Sequence, residues 1–162
     1  MNRIHLNWQD LEKAGYSILM QMFRDQWYPE RIVGITAGGL PLAVWISNQS
    51  SVPMVALGNE TNAWLSEDAF GYNDQDPMRT LIVNDVNNTG ATFRWIMQDW
   101  QNSCLPSDPR WDDIWGNSVR FATLVENVNC NFDLVNYSHI RFSGQETPNW
   151  YVFPWEQNNL NT

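Results

Sequence analysis

The sequence predicts an α/β fold in which a central, mainly parallel, twisted sheet is flanked by helices. Short β-branched runs alternate with segments whose apolar residues recur at helical spacing. The charge-free stretch 32–59 contains Gly38-Gly39 and two prolines, so it indicates strand, loop, helix and strand rather than a membrane span. Strands that alternate with helices form parallel sheets covered on both faces. A chain of 162 residues suits one domain, and we expect it to span 1–162.

The first third of the chain contains two predicted helices and two predicted strands. Apolar side chains at helical spacing predict a helix over 8–27, with Asn7 as its cap. These apolar side chains are Leu11, Ala14, Ile18, Leu19, Met22 and Phe23. The next predicted elements are a strand over 31–36, a glycine turn over 37–39, a helix over 40–48 and a strand over 52–57.

Residues 58–79 have no clear periodicity and contain two glycines and a proline, which predicts a loop of about twenty residues. Loops of this length in compact domains are usually functional or mobile. The segment is acidic, with no cation before Arg79, and we interpret this charge as a solvated surface. The acids are Glu60, Glu67, Asp68, Asp74 and Asp76.

The second half of the chain begins with a predicted strand over 80–83 and ends with a short strand over 150–153. Between them, Phe93, Ile96, Met97 and Trp100 predict one face of a helix over 92–102. The remaining predicted elements are a turn over 87–90, a Pro- and Asp-rich connection over 105–117 and a strand over 118–126.

Charge and cysteine content exclude several classes of protein. The formal net charge is −9 and the cations do not cluster, whereas nucleic-acid binders usually carry a basic stripe. The ten Trp and the hydrophobic fraction of 43% exclude a disordered chain. Two cysteines, Cys104 and Cys130, are too few for a secreted disulfide scaffold, and we expect them to be reduced. Charged residues interrupt the first apolar positions, so we expect no signal peptide, no membrane attachment and a cytoplasmic location.

Two loops that follow predicted strands have the composition of an anion site. In the first, Thr36-Ala37-Gly38-Gly39, adjacent glycines let backbone N–H groups approach an anion without interference from a Cβ atom. The alternative is a tight turn with no ligand. Ligands of parallel sheets bind outside the carboxyl ends of the strands, which is where this loop lies.

The second loop lies in the run Leu81 to Thr92, where a hydrophobic strand delivers Asp85 at its end. Small residues and hydroxyls then lead into a helix, whose N-terminus carries partial positive charge and free N–H donors. A phosphate monoester would fit this cradle, with hydroxyl donors from Thr89 and Thr92, and Asp85 would accept from sugar hydroxyls. The alternative is a capped helix after a strand.

The pattern from Leu81 to Thr92 resembles the phosphoribosyl-pyrophosphate motif of type I phosphoribosyltransferases. Residues 28–47 are similar to the first strand and pyrophosphate loop of that family, and its xanthine and hypoxanthine-guanine branch is the best match. The segment Trp150 to Glu156 resembles the C-terminal hood that closes over the purine in that branch. The resemblance implies the family fold with a small hood, contributed mainly by residues 127–157.

The resemblance also implies a role for each matching position. Residues 88–92, which are Asn88, Thr89, Gly90, Ala91 and Thr92, would hold the 5′-phosphate within the motif that also includes Asn87. Asn84 and Asp85 would meet the ribose hydroxyls, and Asp85 would serve the metal. Thr36, Ala37, Gly38 and Gly39 would cradle pyrophosphate with Mg²⁺. Trp150 would stack on the base and the Tyr151 backbone would read its edge; core packing of Trp150 is the alternative.

Three asparagines and one alanine depart from the family pattern. Asn84 replaces the first of two adjacent acids, and Asn88 replaces the acid that often serves as general base or contacts N7 of the base. Asn127 stands at the position of a Lys that meets a 6-oxo group, and Ala37 where relatives often place a basic or bulky residue. An amide keeps hydrogen-bonding shape but takes no proton. Three explanations fit these changes. The protein could act on a different nucleobase that neutral amides recognise, or it could bind a nucleotide without turning it over. The third is a general drift toward Asn, since the chain contains nineteen Asn.

Three functions therefore stay open. The first is a Mg²⁺-dependent enzyme that transfers phosphoribose from phosphoribosyl pyrophosphate to a nucleobase, most plausibly a purine, with Asp85 and Asn88 as catalytic residues and Asn127, Trp150 and Tyr151 at the base. The second is a degenerate relative that senses a nucleotide or phosphoribosyl pyrophosphate. The third is a structural or interaction domain. Relatives often pair near the active site, so we expect a homodimer.

Overall fold

A computed structural model describes residues 2–60, 62–143 and 149–156 as a parallel sheet between two layers of helices. The helices are α1 (Trp8–Arg24), α2 (Leu40–Ser50), α3 (Ala63–Phe70), α4 (Ala91–Ser103) and α5 (Trp111–Ile114). The strands are β1 (Asn2–His5), β2 (Arg31–Ile35), β3 (Met54–Leu57), β4 (Thr80–Asn87), β5 (Val119–Asn127), β6 (Val135–Phe142) and β7 (Asn149–Val152).

The main sheet has five strands in the order β3-β2-β4-β5-β6, and every neighbouring pair is parallel. This confirms the predicted α/β class. From β2 the chain turns through α2 to β3 on one side, and then crosses to β4 on the other side. The strand order therefore reverses between β2 and β4, which is the point where α/β sheets bind ligands at the carboxyl ends of their strands.

Alternating side chains of the buried strands feed two separate cores. In β4, Leu81 and Val83 pack with α1 and α2, whereas Ile82 packs with α3, α4 and α5 on the opposite face. Because both faces are covered, buried residues follow one another without alternation, over 80–83 in β4 and over 121–126 in β5. No helix in the described part of the chain is long and apolar enough to span a membrane.

The first helix begins where the sequence predicts. The Asn7 side chain accepts from the Asp10 amide at 2.9 Å, and the Asp10 carboxylate accepts from the Asn7 amide at 2.8 Å, which completes a capping box. Leu11, Ala14 and Ile18 are buried as expected. Phe23, which the spacing placed on the buried face, is instead 63% exposed.

The loop predicted over 58–79 is wrong in one respect, because α3 lies within it. Leu65, Ala69 and Phe70 pack into the core, and the helix ends at Gly71 in the left-handed conformation. Asp68 forms an ion pair at 3.2 Å with the buried Arg31, while the other four acids of the segment are exposed. The solvated-surface interpretation therefore holds for Glu60, Glu67, Asp74 and Asp76, and Asp68 has a structural role.

Three strands differ from the prediction. β4 continues to Asn87 rather than ending at 83, and β6, an edge strand of the main sheet, was not predicted. β1 was not predicted either, and it pairs in parallel with β7 in a separate two-stranded sheet. The small sheet is therefore built from both ends of the chain, and the expected hood over 127–157 stays a prediction. Residues 144–148 and 157 of that range lie outside the described residues.

Candidate functional site

The two predicted anion loops lie side by side at the switch point of the sheet. A Cβ atom placed on Gly38 would collide with the Asp85 carboxylate, reaching within 2.7 Å of Cγ. A Cβ atom on Gly39 would lie 2.5 Å from the carbonyl oxygen of Val83. Only glycine permits this approach, so the Gly-Gly pair is what allows the loop after β2 to contact the end of β4.

The loop over residues 36–39 presents main-chain donors at this junction. The Thr36 amide donates to the Leu57 carbonyl and the Gly39 amide to the Ile35 carbonyl, both at 2.9 Å. Across residues 2–60, 62–143 and 149–156, no acceptor pairs with the amides of Ala37 and Gly38. Two adjacent unpaired amides form a concave donor site for an anion. The Thr36–Ala37 peptide bond is cis.

Residues 84–92 line an open cavity of about 320 Å³ at the N-terminus of α4. Gly90 precedes the helix with φ +81°, where a Cβ atom would strike the Phe132 side chain. The N-cap residue Gly90 has no side chain to cap the helix, and the Thr89 hydroxyl accepts from the Ala91 amide at 3.2 Å. The free N–H groups and the helix dipole make this cavity suitable for a phosphate.

The two loops meet through a small cavity of about 50 Å³ that both Thr36 and Thr92 line. Arg94 lies on the first turn of α4 and donates from Nη1 to the Thr89 carbonyl at 3.0 Å. Its guanidinium therefore lies against the turn that forms the cradle, where it adds positive charge for an anionic ligand. Arg94 was not predicted as a site residue, although its position four residues after a glycine cap was readable in the sequence.

Asp85 stands between the two loops. Its Oδ1 accepts from the Val86 amide at 2.8 Å. Burial raises the pKa of the Asp85 carboxyl above its ordinary value, and the negative charge of Glu156 raises it further despite the opposing hydrogen bond from Val86. A bound cation beside this carboxylate would reverse that shift.

The neighbours of Asp85 in β4 face different surroundings. The Asn84 side chain donates to the Val86 carbonyl at 3.3 Å, so it stays beside the cradle. The Asn87 side chain is buried and donates to the Cys130 sulfur at 3.3 Å. Asn87 therefore contributes only its main chain to the cavity. Cys104 and Cys130 are both free thiols, as expected.

A second cavity, of about 160 Å³, lies next to the cradle under the small sheet. Trp150 borders it and is 58% exposed, so core packing does not explain this Trp. A flat cavity edged by aromatic rings and a few polar groups suits a planar heterocycle. The residues that line the cavity are Val86, Asn88, Phe142, Trp150, Tyr151, Phe153 and Glu156.

Two of the departing asparagines contact each other at the border of this cavity. Asn127 Nδ2 donates to the Asn88 carbonyl oxygen at 3.0 Å and to Asn88 Oδ1 at 3.3 Å. Asn88 lines both the aromatic cavity and the phosphate cradle, whereas Asn127 lies behind it. The structure thus brings Asn88, Trp150 and Tyr151 to one cavity, and Asn127 contacts Asn88 without lining that cavity.

Sequence reasoning missed four lining residues of the aromatic cavity, and one of them, Val86, lies in β4. Phe142 comes from the unpredicted strand β6, while Phe153 and Glu156 follow β7. Glu156 Oε2 accepts from the Phe153 amide at 3.2 Å, so the carboxylate closes the turn after β7 at the rim of the cavity. Apolar residues alternate within 135–137 and within 140–142, but the phase changes between them, so the sequence signal for this strand is weak.

Comparison with solved structures places this architecture among purine phosphoribosyltransferases. A purine phosphoribosyltransferase from Pyrococcus horikoshii Ot3 matches with a TM-score of 0.67 at 20% identity over 100% of this chain and 99% of that chain. A xanthine-guanine-hypoxanthine phosphoribosyltransferase from Helicobacter pylori matches with a TM-score of 0.67 at 14% identity over 96% and 93% of the two chains. The chain therefore has the type I phosphoribosyltransferase fold, as the sequence predicted.

A third similar structure is a hypothetical protein from Neisseria gonorrhoeae with bound ppGpp. It matches with a TM-score of 0.69 at 15% identity, over 99% of this chain and 92% of that chain. No family model and no curated protein matches this sequence. At these identities the comparisons establish the fold, and the chemistry has to be argued from the site.

Proposed function

We propose that this protein is a Mg²⁺-dependent phosphoribosyltransferase that transfers phosphoribose from phosphoribosyl pyrophosphate to a purine base and releases pyrophosphate. The observation that carries the proposal is the contiguity of three subsites. The amide loop 36–39, the phosphate cradle 84–92 and the aromatic cavity meet around Asp85 and Asn88. A ligand with a pyrophosphate, a sugar phosphate and a planar base requires three such subsites in contact.

The phosphate and sugar end would be held mainly by the main chain. The α4 N-terminus and the hydroxyls of Thr89 and Thr92 would bind the 5′-phosphate, and the amides of Ala37 and Gly38 would bind pyrophosphate. Asp85 would accept from the ribose hydroxyls between them. Fixed donors at the departing pyrophosphate stabilise the charge that develops as the glycosidic bond breaks, so positioning and electrostatics supply most of the catalysis.

The residues at the junction fit a Mg²⁺ ion that arrives with the substrate. Mg²⁺ is usually held by one or two carboxylates together with waters and substrate phosphates, and Asp85 offers one such carboxylate next to Gly38. No cluster of three or more His, Cys, Asp or Glu side chains suited to a metal occurs in the described ranges, so substrate oxygens would complete the coordination. When bound, the ion neutralises charge on the pyrophosphate.

A second candidate function is nucleotide binding without turnover. The contact between Asn88 and Asn127 favours it, because neither amide can accept the proton that the base must lose. The similar protein from Neisseria gonorrhoeae with bound ppGpp also supports a guanine nucleotide as ligand. In this case the same three subsites would hold a purine nucleotide, and binding would regulate a partner.

A panel of nucleobases with phosphoribosyl pyrophosphate and Mg²⁺ separates the two functions. The transferase proposal expects pyrophosphate release with at least one purine, and the matching nucleotide as product. If no purine or pyrimidine leads to pyrophosphate release but calorimetry shows that a purine nucleotide binds, the transferase proposal is wrong and the binding function takes its place. Absence of both turnover and nucleotide binding would overturn both.

We also propose that the protein is a homodimer. Tyr16, Met20 and Phe23 lie on α1 at helical spacing and are at least half exposed, and Val44 on α2 is 43% exposed. Exposed aromatic and aliphatic side chains of this kind are enriched at subunit interfaces. Size-exclusion chromatography with light scattering would give twice the chain mass of 18.9 kDa. A monomeric mass at micromolar concentration would contradict the proposal.

A further inference from the structure

The Cys130 thiol links the end of β4 to the segment that follows β5. Its sulfur accepts from Asn87 Nδ2 at 3.3 Å and donates to the main-chain carbonyl of Phe132 at 3.4 Å. Asn87 is buried, and a buried amide that loses its partner is costly. The thiol acts here as acceptor and donor at once, so a side chain that replaces it must have both capacities.

The same segment packs against the glycine that precedes α4. A Cβ atom on Gly90 would collide with the Cβ atom of Phe132. Phe132 is buried, and its ring centroid lies 5.3 Å from that of Phe121 and 5.4 Å from that of Phe93. Because these rings fix Phe132, its position limits where the turn before α4 can lie.

The turn over residues 87–90 is therefore held at both ends by one segment. Asn87 contacts Cys130 at the end of β4, and Gly90 contacts Phe132 at the start of α4. The phosphate cradle itself is lined by residues 84–92, so Cys130 and Phe132 support the turn without facing the ligand cavity. Donors that are held in place before binding bind an anion more tightly than donors that binding must order.

We propose that Cys130 is a positioning residue of the phosphate cradle, which raises the affinity for a 5′-phosphate without contacting it. The inference rests on the proposed function for the placement of the phosphate in the cradle. Because the thiol joins Asn87 to Phe132, its loss should let the turn over 87–90 shift relative to β5. The free N–H groups at the start of α4 would then no longer be held in one arrangement.

The test compares Cys130→Ala with Cys130→Ser, two variants of similar size that differ in one hydroxyl group. The ligands are IMP and inosine, which differ only in the 5′-phosphate, and calorimetry gives the dissociation constant of each. The ratio of the inosine constant to the IMP constant measures what the phosphate contributes. We expect this ratio to fall by about 3- to 10-fold in Cys130→Ala, which is the size of one neutral hydrogen bond.

Cys130→Ser should keep the ratio within about twofold of the unmodified protein, because a hydroxyl also accepts and donates. Cys104→Ala is the matched control for a loss of stability without a positioning role. Cys104 is buried at the C-terminal end of α4, the end opposite the cradle. Its truncation should lower the midpoint of urea unfolding and leave the ratio unchanged.

Asn87→Val breaks the same contact from its other end, so it should lower the ratio as Cys130→Ala does. The double variant with Asn87→Val and Cys130→Ala should show no further fall, because both changes remove one interaction. A fall in the double variant equal to the product of the two single falls would show that the residues act independently, and would overturn the proposal.

The outcomes separate the role of Cys130 from the transferase function. An unchanged ratio in Cys130→Ala, or an equal fall in Cys130→Ala and Cys130→Ser, would overturn the positioning role while the transferase proposal stands. Failure of the unmodified protein to bind IMP would overturn the placement of the phosphate and the positioning role with it. The expected ratios in a protein that releases no pyrophosphate would support the positioning role and reject only the transferase proposal.

Discussion

The phosphate side and the base side of the candidate site are built in different ways. The phosphate side comes from two short loops at the ends of neighbouring strands, and main-chain amides supply most of its donors. The base side is formed by side chains from the end of β4, from β6, from β7 and from the segment after β7. A main-chain site survives changes of side chain as long as its glycines remain. A site made of side chains from distant segments changes with each substitution.

The departing asparagines lie at or beside the sugar and base, and the phosphate-binding glycines and threonines are present. Asn88 and Asn127 replace two charged residues of the family pattern with a contact between neutral amides. The cradle around Gly90 and the loop at Gly38 keep the glycines that their geometry requires. Under the proposed function, the groups suited to a sugar phosphate are therefore present, and the groups that would read the base differ from the family pattern.

The largest effect is expected from restoring an acid at the base, with Asn88→Asp. A carboxylate at 88 would still accept from Asn127 Nδ2 and could take the proton from the base. A positioned general base contributes roughly 10²–10⁴-fold to rate. Pyrophosphate release with guanine or hypoxanthine should therefore rise by about that factor.

Asn131→Asp serves as the control for added charge and should leave the rate unchanged. If Asn88→Asp binds phosphoribosyl pyrophosphate normally and still releases no additional pyrophosphate, proton removal does not limit the reaction. The difference between the two sides would then lie in base placement rather than in base chemistry.

The next largest effect is expected on the phosphate side, from Gly90→Ala. A side chain at φ +81° costs about 1–2 kcal/mol, and its collision with Phe132 adds about 1–3 kcal/mol of overpacking. We expect the free energy of unfolding in urea to fall by about 2–5 kcal/mol, with loss of phosphate binding. Gly58→Ala is the matched control, since its Cβ would meet only the Thr36 hydroxyl at 3.4 Å. Equal stability of the two variants would contradict the explanation that the positive φ of Gly90 and its contact with Phe132 require a glycine.

The difference between the phosphate side and the base side also explains which parts of the structure the sequence could predict. The strand–loop–helix units around Gly38 and Gly90 are local, so composition and apolar spacing were enough to place them, and parallel topology brought them together. The edge strand β6 was missed because the alternation of apolar residues over 135–142 changes phase at Ser138-His139. Helix α3 was missed because only three of its eight residues, Leu65, Ala69 and Phe70, are buried apolar side chains, and glycine and proline follow it closely.

The base side could not be predicted because it depends on pairing between distant segments. β1 pairs with β7 through Asn2 and Asn149, which no local pattern records. The contact between Asn88 and Asn127 follows from the register that places Asn87 opposite Glu126. That register extends only because β4 continues beyond Val83, where the sequence analysis ended it.

Asp85 lies where the two sides meet, and its ionisation links stability to ligand binding. Its pKa is raised in the folded protein, so the folded state holds the proton more tightly than the unfolded chain. Stability contributed by this group is therefore lost as pH rises from the ordinary carboxyl pKa through the raised one. Asp85→Asn should be more stable than the unmodified protein above that window, and the advantage should disappear below it.

Asp85→Asn should also lower the affinity for the Mg²⁺ complex of phosphoribosyl pyrophosphate by roughly 10- to 100-fold, because a charged acceptor for the ribose and the ion is lost. Urea denaturation across pH 4–8 measures the first effect and calorimetry the second. Asp133→Asn, at an exposed carboxyl, should change neither. A stability difference that is independent of pH would show that burial of the Asp85 charge is not its cause.

The smallest effect is expected at Trp150, and it is confined to the base side. Stacking of an aromatic side chain on a base contributes about 1–3 kcal/mol, so Trp150→Ala should lower the affinity for GMP by about tenfold. Phosphoribosyl pyrophosphate has no base, and its affinity should stay within about twofold. Because Trp150 is 58% exposed, the midpoint of urea unfolding should hardly move.

Trp64→Ala, which removes a similarly exposed Trp from α3, should leave both affinities unchanged. Parallel losses for GMP and phosphoribosyl pyrophosphate in Trp150→Ala would mean that the small sheet shapes the phosphate side too, and that the two sides are not independent.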